Sequence, residues 1–209
     1  MIISHAKKFI YLKGAKVAGT STELFFERFC DKEQDIIGER ATKDRRMPEV
    51  VRDFAWHAHK NPASIKEALN DDLAWNTYLK FGNIRNPWDR VVSAYSFKKE
   101  WTQRIPADTS FDEYIRYMDD EHPKPLWDFY DSDELEEDYK TNTQWIRFEN
   151  LHEDILSICN TLNLKHEGEL SHKHKTSRNP DYRTYYTAET RRIVEDKYKK
   201  DIENYGYEY

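Results

Sequence analysis

The 209-residue sequence contains no apolar run approaching the roughly 20 residues that a membrane span requires. Its opening residues, Met1-Ile-Ile-Ser-His-Ala-Lys-Lys8, lack the long apolar segment of a secretory signal, so a cytoplasmic protein without membrane association is expected. Cysteine is scarce. Cys30 and Cys159 fall in apparent helices and stand at no metal-ligand spacing, which predicts reduced, structural thiols and no metal site. Positive charge does not dominate either: 33 Lys and Arg against 39 Asp and Glu leave a net charge of −6, which argues against a general nucleic-acid binder. No internal repeat and no linker-like stretch divides the chain, so residues 1–209 are read as one domain, long enough to bury a core. The sequence leaves homo-oligomer assembly open.

What is present is an alternation of short apolar strands with helix signals. Phe9–Leu12 is a continuous apolar run between Lys8 and Lys13, as a strand buried on both faces should be. Asp53–His57, Tyr78–Ile84 and Gln144–Phe148 are the next strand candidates. Asn61-Pro62 and Asn86-Pro87 each combine an N-cap with proline at the first helical position, and Ser110 and Thr187 can cap two further helices. Residues 31–50 are ambiguous, and 119–138 read as an acidic, irregular segment with a short helix. The expected fold is α/β: a P-loop-like parallel β-sheet flanked by helices.

The stretch Phe9-Ile-Tyr-Leu-Lys-Gly-Ala-Lys-Val-Ala-Gly-Thr-Ser-Thr22 organises the rest. It joins a strand, a small-residue loop with two lysines, and a helix start that Thr20, Ser21 or Thr22 can cap. Backbone N–H groups at such a helix start, with lysine beside them, form a cradle for a phosphate-like anion. Gly14 and Gly19 have the spacing of a nucleotide P-loop, but Thr20-Ser21 follow where that motif needs Lys-Ser/Thr, and the lysine comes early, at Lys16. An early lysine can reach the bridging oxygen of a leaving group. A P-loop kinase of small molecules remains the alternative, disfavoured by the missing lysine.

A second anion site follows. Arg85-Asn-Pro-Trp-Asp-Arg-Val-Val-Ser-Ala-Tyr95 puts an arginine at the carboxyl end of a strand and Ser93 two turns into the next helix. That is the sheet edge at which open α/β folds bind ligands, and a guanidinium fork with a hydroxyl suits a phosphate.

Together the two stretches resemble sulfotransferases that use 3′-phosphoadenosine 5′-phosphosulfate (PAPS) and release 3′-phosphoadenosine 5′-phosphate (PAP). Lys16-Val-Ala-Gly-Thr-Ser21 is similar to their 5′-phosphosulfate loop, and Arg85 with Ser93 to their 3′-phosphate motif. Arg147-Phe-Glu-Asn-Leu151 resembles a late strand-to-helix junction of that family, and the tail from His172 resembles its carbohydrate-type branch. The resemblance implies the sulfotransferase fold, with PAPS as donor, PAP as product and no metal. It places Lys16 at the leaving oxygen with Lys13 assisting, and Ala18, Gly19, Thr20 and Ser21 around the phosphosulfate. Lys175 and Thr176 fall in a basic loop closing over the donor. In that branch a histidine base precedes a helix near Trp56-His57-Ala-His59; His59 fits best, and His57 lies on the same side of a strand. A carboxylate base, Glu23 or Asp53, stays open. So does a non-catalytic, nucleotide-binding role.

The acceptor is less legible. Residues 119–138 hold ten acidic side chains against Lys124 alone, which disfavours a polyanionic glycan and favours a small neutral or cationic metabolite, such as a guanidinium alkaloid. Trp88, Trp101 and Trp127 offer stacking or cation–π surfaces nearby. Glycan O-sulfation is the competing expectation.

Overall fold

The computed structural model describes residues 1–31, 33–39, 52–130, 139, 142–165 and 176–209, with backbone alone at 39 and 52–57. Its centre is a six-stranded sheet formed by β1 (Ile2–Ser4), β2 (Phe9–Leu12), β3 (Ile36–Glu39), β4 (Arg52–His57), β5 (Leu79–Ile84) and β6 (Thr143–Arg147), in the order β4-β3-β1-β2-β5-β6. β2, β5 and β6 run parallel, as do β3 and β4. The parallel α/β sheet read from the sequence is therefore present, with one addition. The three-residue β1 is antiparallel to both β2 and β3 and joins the two parallel groups. β3 lies within the stretch whose structure the sequence left ambiguous.

Each strand feeds two cores by its two-residue period. Phe9 and Tyr11 of β2 pack with Phe25 and Phe26 of α1 (Gly19–Phe26) and with Ile155 and Ile158 of α7 (Leu151–Thr161). Ile10 and Leu12 face the other way, onto Ile65 of α2 (Pro62–Leu69), Trp75 of α3 (Asp72–Thr77) and Leu126 and Tyr130 of α6 (Leu126–Tyr130). All four residues of β2 are fully buried, which accounts for its unbroken apolar sequence. A third core joins α4 (Pro87–Glu100) and α5 (Phe111–Tyr117) to α8 (Ala188–Lys197), through Val91, Val92, Tyr95, Tyr114 and Val194. A final helix, α9 (Lys199–Tyr205), follows a break at Tyr198 and ends on left-handed Gly206.

The caps explain the helix starts. Asn61 accepts from Ser64 N–H, Asn86 from the N–H groups of Trp88 and Asp89, and Ser110 closes a capping box with Glu113. The expected hydroxyl cap on α1 is corrected: Ala18 is the N-cap, in the left-handed region at φ 63°, and Thr20, Ser21 and Thr22 lie inside the helix. Among the described residues no helix is long and apolar enough to cross a membrane.

Candidate active site

Because β2, β5 and β6 are parallel and paired in register, their carboxyl ends meet at one edge: Leu12 lies beside Gly82, and Ile84 beside Arg147. The loop 13–18, Arg85 and Phe148 therefore emerge side by side, at the edge where α/β sheets bind ligands.

The loop 13–18 is held by side chains from elsewhere in the chain, mostly through its carbonyls. His59 Nδ1 lies 2.9 Å from the Lys13 carbonyl, Arg90 Nε donates to Ala15 O at 2.9 Å, and Arg85 Nη1 donates to Lys16 O at 3.1 Å. Across a trans peptide the next N–H points the opposite way, so these bonds turn the Lys16 and Val17 amides away from the arginines that hold the carbonyls. Lys16 and Ala18 both have φ 63°, a left-handed backbone that costs non-glycine residues about 1–3 kcal/mol each and is of the kind from which anion nests are built. The Gly14 N–H donates to Tyr130 Oη at 3.1 Å, and that hydroxyl donates onward to Asn83 O at 2.8 Å. A Cβ on Gly14 would lie 2.7 Å from the Tyr130 hydroxyl and one on Gly19 2.9 Å from Lys13 Cγ, so close approach requires glycine at both positions.

The two lysines part company here. Lys13, expected to assist at the leaving group, is instead 3% exposed and paired with the fully buried Glu23 at 2.9 Å. Glu23 also binds the Met1 amino group at 2.9 Å, so it is committed to this buried cluster rather than to a base's position in a cleft. Lys16 lies instead near Arg85 and Arg178. Its Nζ sits 3.6 Å from the centre of the Phe97 ring, a close cation–π contact. Desolvation, then the charges of Arg85 and Arg178, lower its pKa to about 7.

Arg85 is buried at the heart of the second motif. Its Nε donates to Asp89 Oδ2 at 2.8 Å, and its guanidinium lies 3.7 Å from the centre of the Phe148 ring. Burial pulls its pKa down and Asp89 opposes that shift. Glu149, the next residue after Phe148, accepts the Asn86 N–H at 2.7 Å and the Tyr207 hydroxyl at 3.2 Å. The Arg147-Phe-Glu-Asn-Leu151 junction is thus a buttress for the Arg85 motif. Ser93 is half-buried and follows Asp89 by one turn, with Phe97 one turn further on, so 89, 93 and 97 form one stripe of α4.

His59 follows β4 at this edge; the residue reaches solvent, but its ring nitrogen Nδ1 is turned inward onto the Lys13 carbonyl. A carbonyl only accepts, so Nδ1 carries the proton toward Lys13 O and a neutral ring keeps its lone pair on Nε2. Desolvation, then the Lys13 ammonium, holds the imidazole down to about 4, so the ring is neutral at pH 7. The side chains of His57 and Asp53, and Lys175, lie outside the described residues. Thr176 is half-buried at the head of the segment carrying Arg178, which donates to Asp89 Oδ1 at 2.5 Å.

Sequence reasoning missed Asp89, Arg90, Phe97, Tyr130, Phe148 and Arg178 as parts of this site. Arg178 had a signal: Arg178-Asn-Pro180 repeats the triplet Arg85-Asn-Pro87. The expected tryptophan surfaces are corrected in part. Trp88 is buried with its indole N–H on Arg191 O, and Trp127 is packed against the core, leaving Trp101 exposed.

A sequence model of the sulfotransferase family matches residues 1–208. No curated protein matches the chain. Among solved structures, mouse sulfotransferase SULT7A1 complexed with PAP superposes with a TM-score of 0.56 at 14% identity, covering 97% of this chain and 86% of that one.

Proposed function

Because the chain belongs to the sulfotransferase family, we propose that it moves the sulfonate of PAPS onto a hydroxyl or amine of a small acceptor. The observation that carries this reading is the pairing of two anion sites at one sheet edge, the nest at 16–21 and the Arg85 cluster, joined by the Arg85–Lys16 carbonyl bond. A donor with a phosphosulfate at one end and a phosphate at the other spans such a pair. PAPS supplies an activated sulfonate whose departure leaves PAP.

The chain's residues then divide the work. The backbone from Ala18 to Ser21 cradles the phosphosulfate with the dipole of α1 behind it. Lys16, released from Phe97, neutralises the bridging oxygen as the S–O bond breaks. Arg85 and Ser93 grip the 3′-phosphate, and the segment beginning with Lys175 and Thr176 closes on it. His59, neutral with a lone pair on Nε2, takes the proton of the attacking acceptor. Lys13 supports the loop through Glu23 rather than touching the donor.

For the acceptor, a neutral or cationic metabolite, including a guanidinium alkaloid, remains the proposal. Two acids of the 119–138 segment are already committed, Asp119 to Lys197 and Glu121 to Lys98, so the field facing an acceptor rests on fewer charges than composition suggests. Incubation with labelled PAPS and a panel of glycans and cationic metabolites tests the reading: one acceptor should gain the mass of one sulfonate. Calorimetry should show PAP binding and no magnesium-dependent ATP binding; the reverse preference would return the kinase alternative.

A further inference from the structure

Asp89 lies in the first turn of α4, where a carboxylate suits the helix dipole. It is 7% exposed, and both of its oxygens are engaged by arginines. Oδ2 accepts Arg85 Nε at 2.8 Å and faces Arg85 Nη2 at 2.7 Å, while Oδ1 accepts Arg178 Nη1 at 2.5 Å. Arg85 ends β5 and Arg178 comes from the segment ahead of α8, so distant parts of the chain converge on one carboxylate. Two carboxylates, Asp89 and the neighbouring Glu149, act on Arg85, against the charges of Arg85, Arg178 and the nearby Lys16. Arg85 Nη2, on a side chain 4% exposed, completes no hydrogen bond among the described residues despite its 2.7 Å contact with Asp89. The cluster holds its donors in place and is short of acceptor oxygens.

We propose that Asp89 is a positioning residue that holds Arg85 and Arg178 side by side as a paired claw for the donor's 3′-phosphate, and so fastens the 176–180 segment to the donor site. The proposal rests on the reading of PAPS as donor. A guanidinium offers five N–H donors in a rigid plane, so one carboxylate can orient two of them and leave other edges for a phosphate. The opposite role is also physically defined. If Asp89 merely occupied the phosphate's place, its removal would strengthen anion binding.

Calorimetry with PAP and with adenosine 5′-phosphate, which lacks the 3′-phosphate, separates these roles. Asp89→Asn should weaken PAP about tenfold, the effect of losing charge-assisted hydrogen bonds, and leave adenosine 5′-phosphate within about twofold. Arg178→Ala should weaken PAP selectively as well, and the double variant should bind no more weakly than Asp89→Asn alone, because the two residues act as one unit. Asp89→Glu should recover part of the loss. Unchanged or tighter PAP binding in Asp89→Asn, an equal loss for both nucleotides, or additive losses in the double variant would overturn the proposal. If Asp89→Asn does not fold, Arg178→Ala and Arg178→Lys decide it: both should weaken PAP, since lysine keeps the charge but not the fork. Wild-type protein that binds no PAP would defeat the donor reading itself, before Asp89 enters.

Discussion

Arg85 Nη1 donates to the carbonyl of Lys16, so the guanidinium assigned to the 3′-phosphate also fixes the backbone of the lysine assigned to the leaving group. One hydrogen bond thus links the two proposed anion sites. Arg85→Lys keeps a charge but loses the fork that serves Asp89 and Lys16 together. It should weaken PAP by about 1.5–3 kcal/mol, the range for a hydrogen bond to a charged group, and should lower kcat as well as raise the KM for PAPS. Calorimetry and steady-state kinetics on the same preparation check both. A change in KM alone would mean that the Lys16 carbonyl bond does not matter to chemistry.

Phe148 covers the Arg85 guanidinium from the β6 side at 3.7 Å. Phe148→Leu preserves the apolar volume and removes the ring face. A desolvated cation–π contact contributes about 2 kcal/mol, so the KM for PAPS should rise by up to about thirtyfold with kcat nearly unchanged. Initial rates at varied PAPS and saturating acceptor measure this split.

The pH dependence follows from two depressed pKa values. Lys16 must be protonated to neutralise the leaving oxygen, so activity is lost as pH rises through its value near 7. His59 must be neutral to accept a proton, so activity is lost only as pH falls through about 4. Since kcat/KM reports the free enzyme, its profile should be flat on the acid side well below the ordinary histidine range and fall from near neutrality upward. An acid limb near 6.5 would remove His59, in this environment, from the base's role.

Glu23 offers a stability prediction that also separates structure from catalysis. Its carboxylate is fully buried between Lys13 and the Met1 amino group. Glu23→Gln removes the carboxylate charge that Lys13 and the Met1 amino group both face, and breaking a buried pair from one side costs about 3–5 kcal/mol. A large fall in Tm is expected, with the turnover of the protein that remains folded largely retained. Intact stability with abolished turnover would instead restore Glu23 as a candidate base.

The features legible in the sequence were local. Phe9–Leu12 announces a strand by its own composition, and Asn86-Pro87 announces a helix start because cap and proline are adjacent. β1 escaped notice because three residues carry no period. Lys13 and Lys16 share one short loop, and nothing in their spacing says that Lys13 pairs with the buried Glu23, a packing fact. The tie of Tyr130 to Gly14 and the stacking of Phe148 on Arg85 join residues far apart in sequence, and only the alignment of strand ends brings them together.

The two roles proposed for His59 are separable, and a pair of substitutions can tell them apart. Its Nδ1–H tethers the Lys13 carbonyl at the start of the 13–18 loop, while Nε2, unbonded among the described residues, is the proposed base. Asparagine retains an N–H donor of similar reach but has no basic lone pair, whereas alanine has neither. If His59 is the base, His59→Asn and His59→Ala should both lose about 100- to 10,000-fold in kcat, the usual contribution of a general base. PAP affinity should survive better in His59→Asn, because the donor loop keeps its tether. If His59→Asn restores most of kcat, the histidine serves the loop and the base lies elsewhere, with His57 the first residue to substitute next. Single-turnover rates with PAPS in excess, measured beside PAP binding for each variant, distinguish the two outcomes without interference from product release.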